Sequence, residues 1–329
     1  MKKLYTLSFA LISSLGFAQV STSFSGTGAL NANGWTTHSG TIPGQLTLST
    51  GSLSYTGLTT SANRATLVAG NTEDVNKAST APLTGVVYYS AVLNVINTTG
   101  LNLNTANGDY FLSAATTSGT TGVTGLPARL YVRSGATADT FNIGLLNNSG
   151  GTVTPTYVAT DFPVNASIFV VVKYDTAGNT SSLFVNPVIG STEGTPTVTN
   201  ATGTNTAAQI AAMAIRQGGN ATAGTGNVEI DELRLNTTWA DVTSAALKVN
   251  QNAIAGLSVF PNPVKNGVFY INTDANAERT ITVFDVLGKQ VLNTTTSESA
   301  INVSNLTSGV YMVQISEEGN TATKKLVIE

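Results

Sequence analysis

The sequence predicts an all-β protein of two domains. Charged residues make up only 10% of the 329 residues, and many short β-branched runs are separated by Gly or Asn turns. No segment has the continuous periodicity of a helical bundle. The chain is long enough for two domains that each bury a core. Because the hydrophobic pattern lapses there, we place a linker at 248–256, between domains at 19–247 and 257–329.

The first 18 residues have the features of a secretion signal. Lys2 and Lys3 precede a mainly apolar run from Leu4 to Leu15, and "GFA" at 16–18 puts small residues where a signal peptidase cuts. The run is shorter than the roughly 20 residues that span a bilayer, which disfavours a membrane anchor. We therefore predict a signal peptide at 1–18 and a protein that is secreted or held at the outer-membrane surface.

Composition excludes several classes of function. The chain has no cysteine, so disulfides, thiol nucleophiles and Cys-based metal sites are absent. Its formal net charge is −3 and it carries no long basic run, which argues against nucleic acid as a partner. His38 is the only histidine, and no serine lies in a "GxSxG" motif, so a serine hydrolase is not expected.

The domain at 19–247 contains many strand-like runs. "IFVVVKY" at 168–174 is apolar on both faces except at Lys173, which predicts a central strand. "DTAGNTS" follows as a turn into "LFVNP", and this predicts a hairpin. One short helical turn is expected at Ala207–Ala212, and Ser191–Thr206 is expected to be a surface loop. About ten to fourteen strands in one domain predict a two-sheet jelly-roll sandwich.

This region resembles the laminin-G-like, concanavalin A-like jelly rolls of secreted bacterial proteins. The resemblance is carried by "GWTTHSG", "LSYTGL", "EDVNK", "GDYF", "LYVR", the "VVVKYD…LFVNP" hairpin and "IDELRLNTTWADV". It implies binding of carbohydrates or proteins, and some relatives of this type are glycanases. Fold membership does not choose between these functions.

The sequence of the domain at 257–329 predicts a small β-sandwich. "VYMVQI" alternates strictly between two faces, and Gly288 in "DVLGKQV" marks a hairpin turn. Pro261 and Pro263 lack an N–H and restrict the residues before them, so "PNP" leaves a sheet or lies at its edge. Seven short strands in this length predict an antiparallel immunoglobulin-like sandwich.

The same residues resemble the type A C-terminal sorting domain of the type IX (Por) secretion system. "LSVFPNPVKNGVFYI", "ITVFDVLGKQVL", "INVSNLTSGVYMVQI" and "KKLVIE" follow one another in the order of that family. The resemblance implies export by the type IX machinery, removal by a sortase-like protease, and release or attachment to surface lipopolysaccharide. It rests on Pro261, Asn262, Pro263, Gly267, Gly288, Gly309, Tyr311, Lys324 and Lys325.

The acidic stretch "EIDEL" is a candidate catalytic strand. Concanavalin A-like glucanases carry acids at alternate positions of one strand, so that they share a face. Glu229 and Asp231 fit this spacing, but position 233 is Leu. Glu232 and Arg234 are expected to pair in solvent on the other face. We therefore interpret the stretch as a closing strand and keep a divergent glycoside hydrolase using Glu229 and Asp231 as an alternative.

The remaining candidates are binding residues. Trp35, Tyr110 and Tyr131 offer flat rings on which a sugar can stack. Carboxylates of Glu73, Asp74 and Asp109 are candidate ligands for Ca²⁺, although none has EF-hand spacing and no cofactor is expected. The sequence thus predicts a non-enzymatic binding or adhesion protein whose partner is an extracellular polysaccharide or a surface protein. A structural surface module without a small ligand is a further alternative.

Overall fold

The computed structural model describes residues 20–22, 24–58, 60, 63–151, 153–245, 254, 256–275, 277–317 and 320–329. The chain divides into two compact units, Met1–Lys248 and Val249–Glu329. The predicted signal peptide at 1–18 and most of the predicted linker at 248–256 lie outside the described residues. In the part that is described, no helix is long and apolar enough to cross a membrane.

The first unit is built from short strands with two brief helical segments. A 3-10 helix spans Leu30–Ala32 and helix α1 spans Trp239–Thr243. The strands are β1 (Val20–Thr22), β2 (Gly28–Ala29), β3 (Thr36–Ser39), β4 (Thr47–Thr50), β5 (Asn63–Leu67), β6 (Asp74–Leu83), β7 (Val86–Leu101), β8 (Asp109–Ala115), β9 (Arg129–Ser134), β10 (Thr140–Leu146), β11 (Thr156–Tyr157), β12 (Phe162–Pro163), β13 (Ile168–Asp175), β14 (Thr180–Val185), β15 (Val198–Asn200), β16 (Ile210–Arg216) and β17 (Thr225–Asn236).

These strands form the two sheets of a sandwich. Sheet 1 has the order β15-β14-β13-β7-β17-β5-β4-β2, and β1 also pairs with β17. Sheet 2 has the order β11-β10-β9-β8-β16-β6-β3, and β12 also pairs with β10. The pairings between these strands are antiparallel. The all-β fold predicted from the sequence is confirmed.

The hairpin at β13 and β14 follows the predicted pattern, whereas the following region differs. β13 lies between β7 and β14 and is buried along most of its length. The helical turn predicted at Ala207–Ala212 is wrong, because Ile210 begins strand β16, which pairs with β6 and β8. Pairing on both edges outweighs the weak helical preference of an alanine-rich run. The loop predicted at Ser191–Thr206 includes β15.

The two sheets share one core and differ in what covers their outer faces. Side chains such as Leu93, Ile230, Leu130 and Ile143 fill the space between the sheets. The outer face of sheet 1 is covered by a second apolar cluster, in which α1 and the 53–58 loop lie over the strands. Its buried members are Leu53, Tyr88, Val92, Phe169, Val171, Phe184, Trp239 and Val242.

Helix α1 is held over sheet 1 by its cap. The Thr238 hydroxyl accepts a hydrogen bond from the Asp241 N–H at 3.2 Å, and the Thr238 backbone is extended. This is the normal way to satisfy a free N–H at a helix start. The Trp239 indole N–H donates to the Ser191 carbonyl at 2.8 Å. The helix is therefore fixed where it hides the outer face of sheet 1.

The described residues of the second unit form seven strands, as the sequence predicts. They are β18 (Ser258–Phe260), β19 (Val268–Asn272), β20 (Arg279–Phe284), β21 (Gln290–Thr296), β22 (Ala300–Asn302), β23 (Gly309–Glu317) and β24 (Asn320–Ile328). Sheet 3 has the order β18-β19-β22 and sheet 4 has the order β21-β20-β23-β24. Phe269, Val283, Val313 and Leu326 are fully buried in the core of this unit.

The "PNP" segment is tied to strand β24. The Asn262 side-chain amide donates to the Lys325 carbonyl at 2.8 Å, and its oxygen accepts from the Val327 N–H at 2.9 Å. The Val264 N–H donates to the Val327 carbonyl at 2.8 Å. Because prolines cannot donate these bonds, the asparagine between them provides the link to the final strand.

We predict that Asn262→Ala destabilises the second unit by about 1–2 kcal/mol, because two hydrogen bonds to backbone groups are lost in a partly exposed setting. The change in the free energy of unfolding is measured by chemical denaturation of the full chain, monitored through a spectroscopic signal that reports on the second unit. Asn293→Ala is the control, since Asn293 is exposed on β21. Equal stability of the two variants would contradict the structural role of Asn262.

Candidate functional site

The outer face of sheet 2 carries a group of arginines and tyrosines. Strand β9 alternates, so Leu130 and Val132 enter the core and the residues between and beside them face outward. Neighbouring strands add further side chains of the same kinds to this face. We call the set the arginine–tyrosine cluster: Tyr110 on β8, Arg129, Tyr131 and Arg133 on β9, Tyr157 on β11 and Arg216 on β16.

Tyr110 lies at the centre of the cluster. The Arg129 and Arg216 guanidinium carbons lie 4.7 Å and 4.4 Å from the centroid of its ring. The Tyr131 ring lies 5.7 Å away at an interplanar angle of 51°. Cations over an aromatic face are attracted by its negative charge density. The two arginines are thus held beside both rings instead of extending into solvent.

The guanidinium groups are oriented by further contacts. Arg216 forms a 2.8 Å ion pair with Asp109, and Arg129 donates from Nε to the Leu126 carbonyl at 2.7 Å. Burial lowers the pKa of Arg216, but Tyr110 and the carboxylates beside it outweigh this and raise it. Arginine therefore stays charged on this face.

Arg133 stacks on Tyr157. Its guanidinium carbon lies 3.5 Å from the ring centroid, and Nη1 donates to the Ala106 carbonyl at 3.1 Å. Nε of Arg133 is buried and has no hydrogen-bond partner among the described residues. A buried guanidinium N–H without a partner is unusual.

The register of the strands places the tyrosines in one row across sheet 2. Tyr110 is opposite Tyr131, Tyr131 is opposite Gly144, and Gly144 is opposite Tyr157. A Cβ atom on Gly144 would lie 2.8 Å from the Tyr157 ring, so glycine is needed for that ring to lie over the sheet. With strands about 4.8 Å apart, the row from Tyr110 to Tyr157 extends about 14 Å.

His38 lies on the same face at the opposite edge, on β3. Its Nδ1 is 3.2 Å from the Asn76 amide nitrogen. That amide also donates to the Gly119 carbonyl at 2.8 Å and accepts from the Gly119 N–H at 3.0 Å. Burial lowers the pKa of His38, so its imidazole is neutral at neutral pH.

Asp74, beside Arg216, has a pKa raised by burial to about 6.

The predicted ligand-binding residues separate into two groups. Tyr110 and Tyr131 belong to the arginine–tyrosine cluster. Trp35 is only 4% exposed and stacks on Phe24 at 6.1 Å in the core of the first unit. The prediction that Trp35 offers a ring to a ligand is therefore contradicted by its burial between the sheets.

Glu229 and Asp231 lie on sheet 1, whose outer face is covered. Glu229 is paired with Arg64 and accepts from the Asn94 amide at 2.7 Å. Asp231 accepts from the Leu53 and Glu232 N–H groups, both at 2.8 Å. Its pKa is raised to about 6, mainly by burial. Both carboxylates are buried and act in holding the surrounding loop and strands, which leaves no approach for a sugar between them.

The expected solvent pairing of Glu232 and Arg234 is wrong. Both residues are at most 1% exposed, and their charged groups lie 3.5 Å apart. Glu232 has a positive φ of 52°, and the register of β17 against β7 shifts between Asp231 and Arg234. This bulge alters the alternation of side chains, which a strict period of two does not anticipate.

The candidate metal ligands do not converge. Glu73 is fully buried and accepts from the Thr37 hydroxyl at 2.6 Å and from the Gly44 and Leu46 N–H groups at 2.9 Å and 2.8 Å. Asp109 is paired with Arg216, and Asp74 accepts from the Gln217 N–H at 3.1 Å. Among the described residues no group of three or more His, Asp or Glu side chains could hold a metal ion.

Sequence reasoning missed the arginines and Tyr157. The alternation in "RLYVR" places Arg129, Tyr131 and Arg133 on one face, and this signal was present in the sequence. Arg216 and Tyr157 belong to strands that are distant in sequence from β9, so their arrival at the same face depends on the strand order.

The predicted sorting residues all lie in the second unit. Gly267 and Gly288 have φ values of +69° and +81°, which favour glycine. Gly309 begins β23, and the Tyr311 hydroxyl donates to the Thr307 carbonyl at 2.7 Å. Lys324 and Lys325 are exposed on β24, and Pro261–Pro263 carry the asparagine that binds this strand.

The class defined by these features is an all-β exported protein: a two-sheet jelly-roll sandwich followed by a smaller sandwich. Residues 258–329 match the family described as the secretion system C-terminal sorting domain. This part of the chain is therefore a sorting domain, as its residues predict. The protein is exported by the type IX system to the cell surface or the medium.

One curated relative also bears on function. A 92-residue stretch is 32% identical to ulvan lyase NLR42 from Nonlabens ulvanivorans and covers 27% of this chain. The chain spans only 17% of the length of that relative in this match. The match corrects the expectation of a non-enzymatic protein, because the relative is named as an ulvan lyase.

Solved structures with similar folds include carbohydrate-binding and lyase domains. The CBM2 module of the evolved Dit protein from Lactobacillus casei BL23 phage J-1 has 10% identity and a TM-score of 0.36, covering 68% of this chain and 96% of its own. The VIP36 exoplasmic/lumenal domain has 9% identity, a TM-score of 0.34 and coverage of 63% and 87%. Alginate lyase from Alteromonas sp. 272 has 7% identity and a TM-score of 0.28, and the match covers 63% of this chain and 95% of the lyase chain. At these values the likenesses assign no function.

We predict that the free energy of unfolding of the first unit falls as pH rises from about 4 to about 6. The pKa of Asp74 is raised from 3.8 to about 6 in the folded state, so between these values the folded state binds more protons than the unfolded state. Asp74→Asn, which keeps an acceptor for Gln217, should reduce this slope, and the part that remains comes from Asp231, whose pKa is also raised to about 6. Denaturant unfolding at several pH values measures it.

The matched control is Asp139→Asn, because Asp139 is exposed. This variant should keep the slope of the unaltered chain. A slope that is the same in the Asp74→Asn variant would mean that burial of Asp74 has no effect on folding.

Proposed function

We propose that this protein binds an anionic, uronate-containing polysaccharide along the tyrosine row of sheet 2 and cleaves it by elimination outside the cell. The observation that carries the proposal is the arginine–tyrosine cluster. It puts three cations and three aromatic rings on one face of the sandwich, while α1 and the 53–58 loop cover part of the outer face of sheet 1.

The chemistry of the cluster favours a sugar chain with carboxylate or sulfate groups. Guanidinium groups form strong, bidentate hydrogen bonds to such anions. Tyrosine rings contact the apolar C–H faces of sugars and their hydroxyls reach polar groups. A neutral glycan would leave Arg129 and Arg133 without an opposite charge, whereas Arg216 is already paired with Asp109.

Elimination needs three groups around a uronate. A base removes the proton on the carbon next to the carboxylate, the bond from the adjacent ring carbon to the glycosidic oxygen breaks, and an acid protonates that oxygen. The electron pair of the broken C–H bond becomes the new C=C bond. Negative charge develops on the carboxylate side, so a nearby cation lowers the barrier.

The cluster contains candidates for each role. Arg129 and Arg216, which lie over the Tyr110 ring, neutralise the carboxylate in this proposal. Burial raises the pKa of Tyr131, opposed by Arg129, so its phenol stays protonated and acts as the acid. Tyr110 is assigned the role of base, because its ring lies between Arg129 and Arg216 and beside Tyr131.

Two other observations support this proposal. A polysaccharide is an extracellular substrate, and the chain carries a sorting domain for export. The relative named ulvan lyase NLR42 is an enzyme of the proposed class. The hydrolase alternative at Glu229 and Asp231 has no comparable support, because both carboxylates are buried and bound by groups of the protein.

We predict that the purified full chain releases unsaturated products from an anionic polysaccharide, detected by their ultraviolet absorbance. A panel of ulvan, alginate and pectate is compared with neutral glucans, each with added Ca²⁺ and with EDTA to test the calcium expectation. Tyr131→Phe should lower turnover by about a hundredfold or more, as expected for loss of a general acid, with little change in affinity.

Tyr270→Phe is the control for this substitution, because Tyr270 lies on β19 in the sorting domain. Its turnover should equal that of the unaltered chain. Absence of unsaturated product from every anionic polysaccharide, or full activity of the Tyr131→Phe variant, would contradict the lyase proposal.

We also predict that Arg133→Met weakens binding of the same polysaccharide by tenfold or more, since a hydrogen bond to a charged group contributes about 1.5–3 kcal/mol. The dependence of affinity on salt should become weaker because one cation is lost. Lys173→Met removes one cation from sheet 1 and should leave both quantities unchanged. Isothermal titration with a size-defined oligosaccharide measures affinity, and equal effects of the two substitutions would refute this binding face.

A further inference from the structure

The hairpin between β20 and β21 ends in two exposed apolar side chains. Val286 is 75% exposed and Leu287 is 90% exposed. Both lie in the turn at residues 285–289, which we call the 285–289 tip. Exposure of two adjacent large aliphatic side chains at the end of a hairpin is not required by the core of the second unit, which they do not enter.

The turn itself does not need these residues. The Asp285 carboxylate oxygen Oδ1 accepts from the Leu287 N–H at 2.9 Å and from the Lys289 N–H at 3.0 Å. The Gly288 N–H donates to the Asp285 carbonyl at 3.0 Å, and Gly288 has a φ of +81°. Asp and Gly therefore supply the turn chemistry, and the two central positions are free to carry any side chain.

The tip is also held rigidly. In addition to the bonds within the turn, the Asp285 N–H donates to the Lys289 carbonyl at 3.0 Å, which closes the hairpin. Apolar side chains on a preorganised turn lose little conformational freedom on binding, so more of their burial contributes to affinity. The structure thus presents Val286 and Leu287 as a fixed, convex apolar projection.

We propose that the 285–289 tip inserts into an apolar pocket on a protein of the type IX machinery and contributes to recognition of the sorting domain. The domain is handled by that machinery, so some part of its surface contacts a protein. Exposed apolar groups mark such contacts. A convex tip of two aliphatic side chains fits a concave pocket.

A lipid surface fits the tip less well. Binding at a membrane interface uses a larger apolar face, often with aromatic residues, together with several basic residues. The tip has two aliphatic side chains, one lysine, and an aspartate whose oxygen is bound within the turn. A protein pocket is therefore the occupant that the side chains favour.

The test follows export of the full chain in a bacterium that has a type IX system. In the variant Val286→Ser with Leu287→Ser, the ratio of surface and medium protein to periplasmic protein should fall by tenfold or more, the scale expected when buried aliphatic contacts are lost. Immunoblots of cell fractions measure this ratio. Its unfolding midpoint should equal that of the unaltered chain, because both positions are exposed.

Two matched variants make the result specific. Val310→Ser with Met312→Ser removes two apolar side chains that are 42% and 43% exposed on β23, and export should continue. Val286→Ile with Leu287→Met keeps the tip apolar, and export should also continue. Loss of export in either variant would overturn the proposal, as would normal export of the double-serine tip.

A flotation assay separates the two kinds of occupant. The full chain is mixed with vesicles of phosphatidylethanolamine and phosphatidylglycerol, and the bound fraction is measured. We expect no binding that depends on the tip. Vesicle binding that is lost in the double-serine variant would assign the tip to a lipid surface and refute the protein pocket.

Discussion

The packing of two sheets against each other is the constraint on which the first unit depends. Each strand commits alternate side chains to the shared core, so any function must use an outer face or a loop. Helix α1, capped by Thr238 and anchored through Trp239, covers one outer face. The arginine–tyrosine cluster lies on the outer face of sheet 2, where Tyr110 packs against a smaller apolar cluster that includes Leu126, Ala212 and Ala214.

Charged side chains have different surroundings on the two sheets. On sheet 1, Glu229 and Asp231 are buried and bound to groups of the protein, so they stabilise loop and strand geometry. On sheet 2, the guanidinium groups lie over aromatic rings and keep part of their surface exposed. The acidic motif that stands out in the sequence is therefore structural, whereas the basic residues that are scattered through the sequence form the candidate site.

Much of the fold was predictable because strand patterns are local. The seven strands of the sorting domain and the hairpin at β13 and β14 follow from alternation and turn residues. Arg216 was not predictable as a site residue, because its approach to Tyr110 depends on β16 pairing with β8 across a long separation in sequence. Trp35 was misassigned for a related reason: composition shows that an aromatic ring is present, but only packing shows which side it faces.

Gly144 controls how far the row of tyrosines extends across sheet 2. It is the one position in the row where the side chain is missing, and the Tyr157 ring occupies the space that a Cβ atom would need. Replacement by alanine during evolution would displace that ring and shorten the row by one aromatic contact. If the row binds a polysaccharide as proposed, the length of polymer that it contacts would then change through a residue that does not itself touch the polymer.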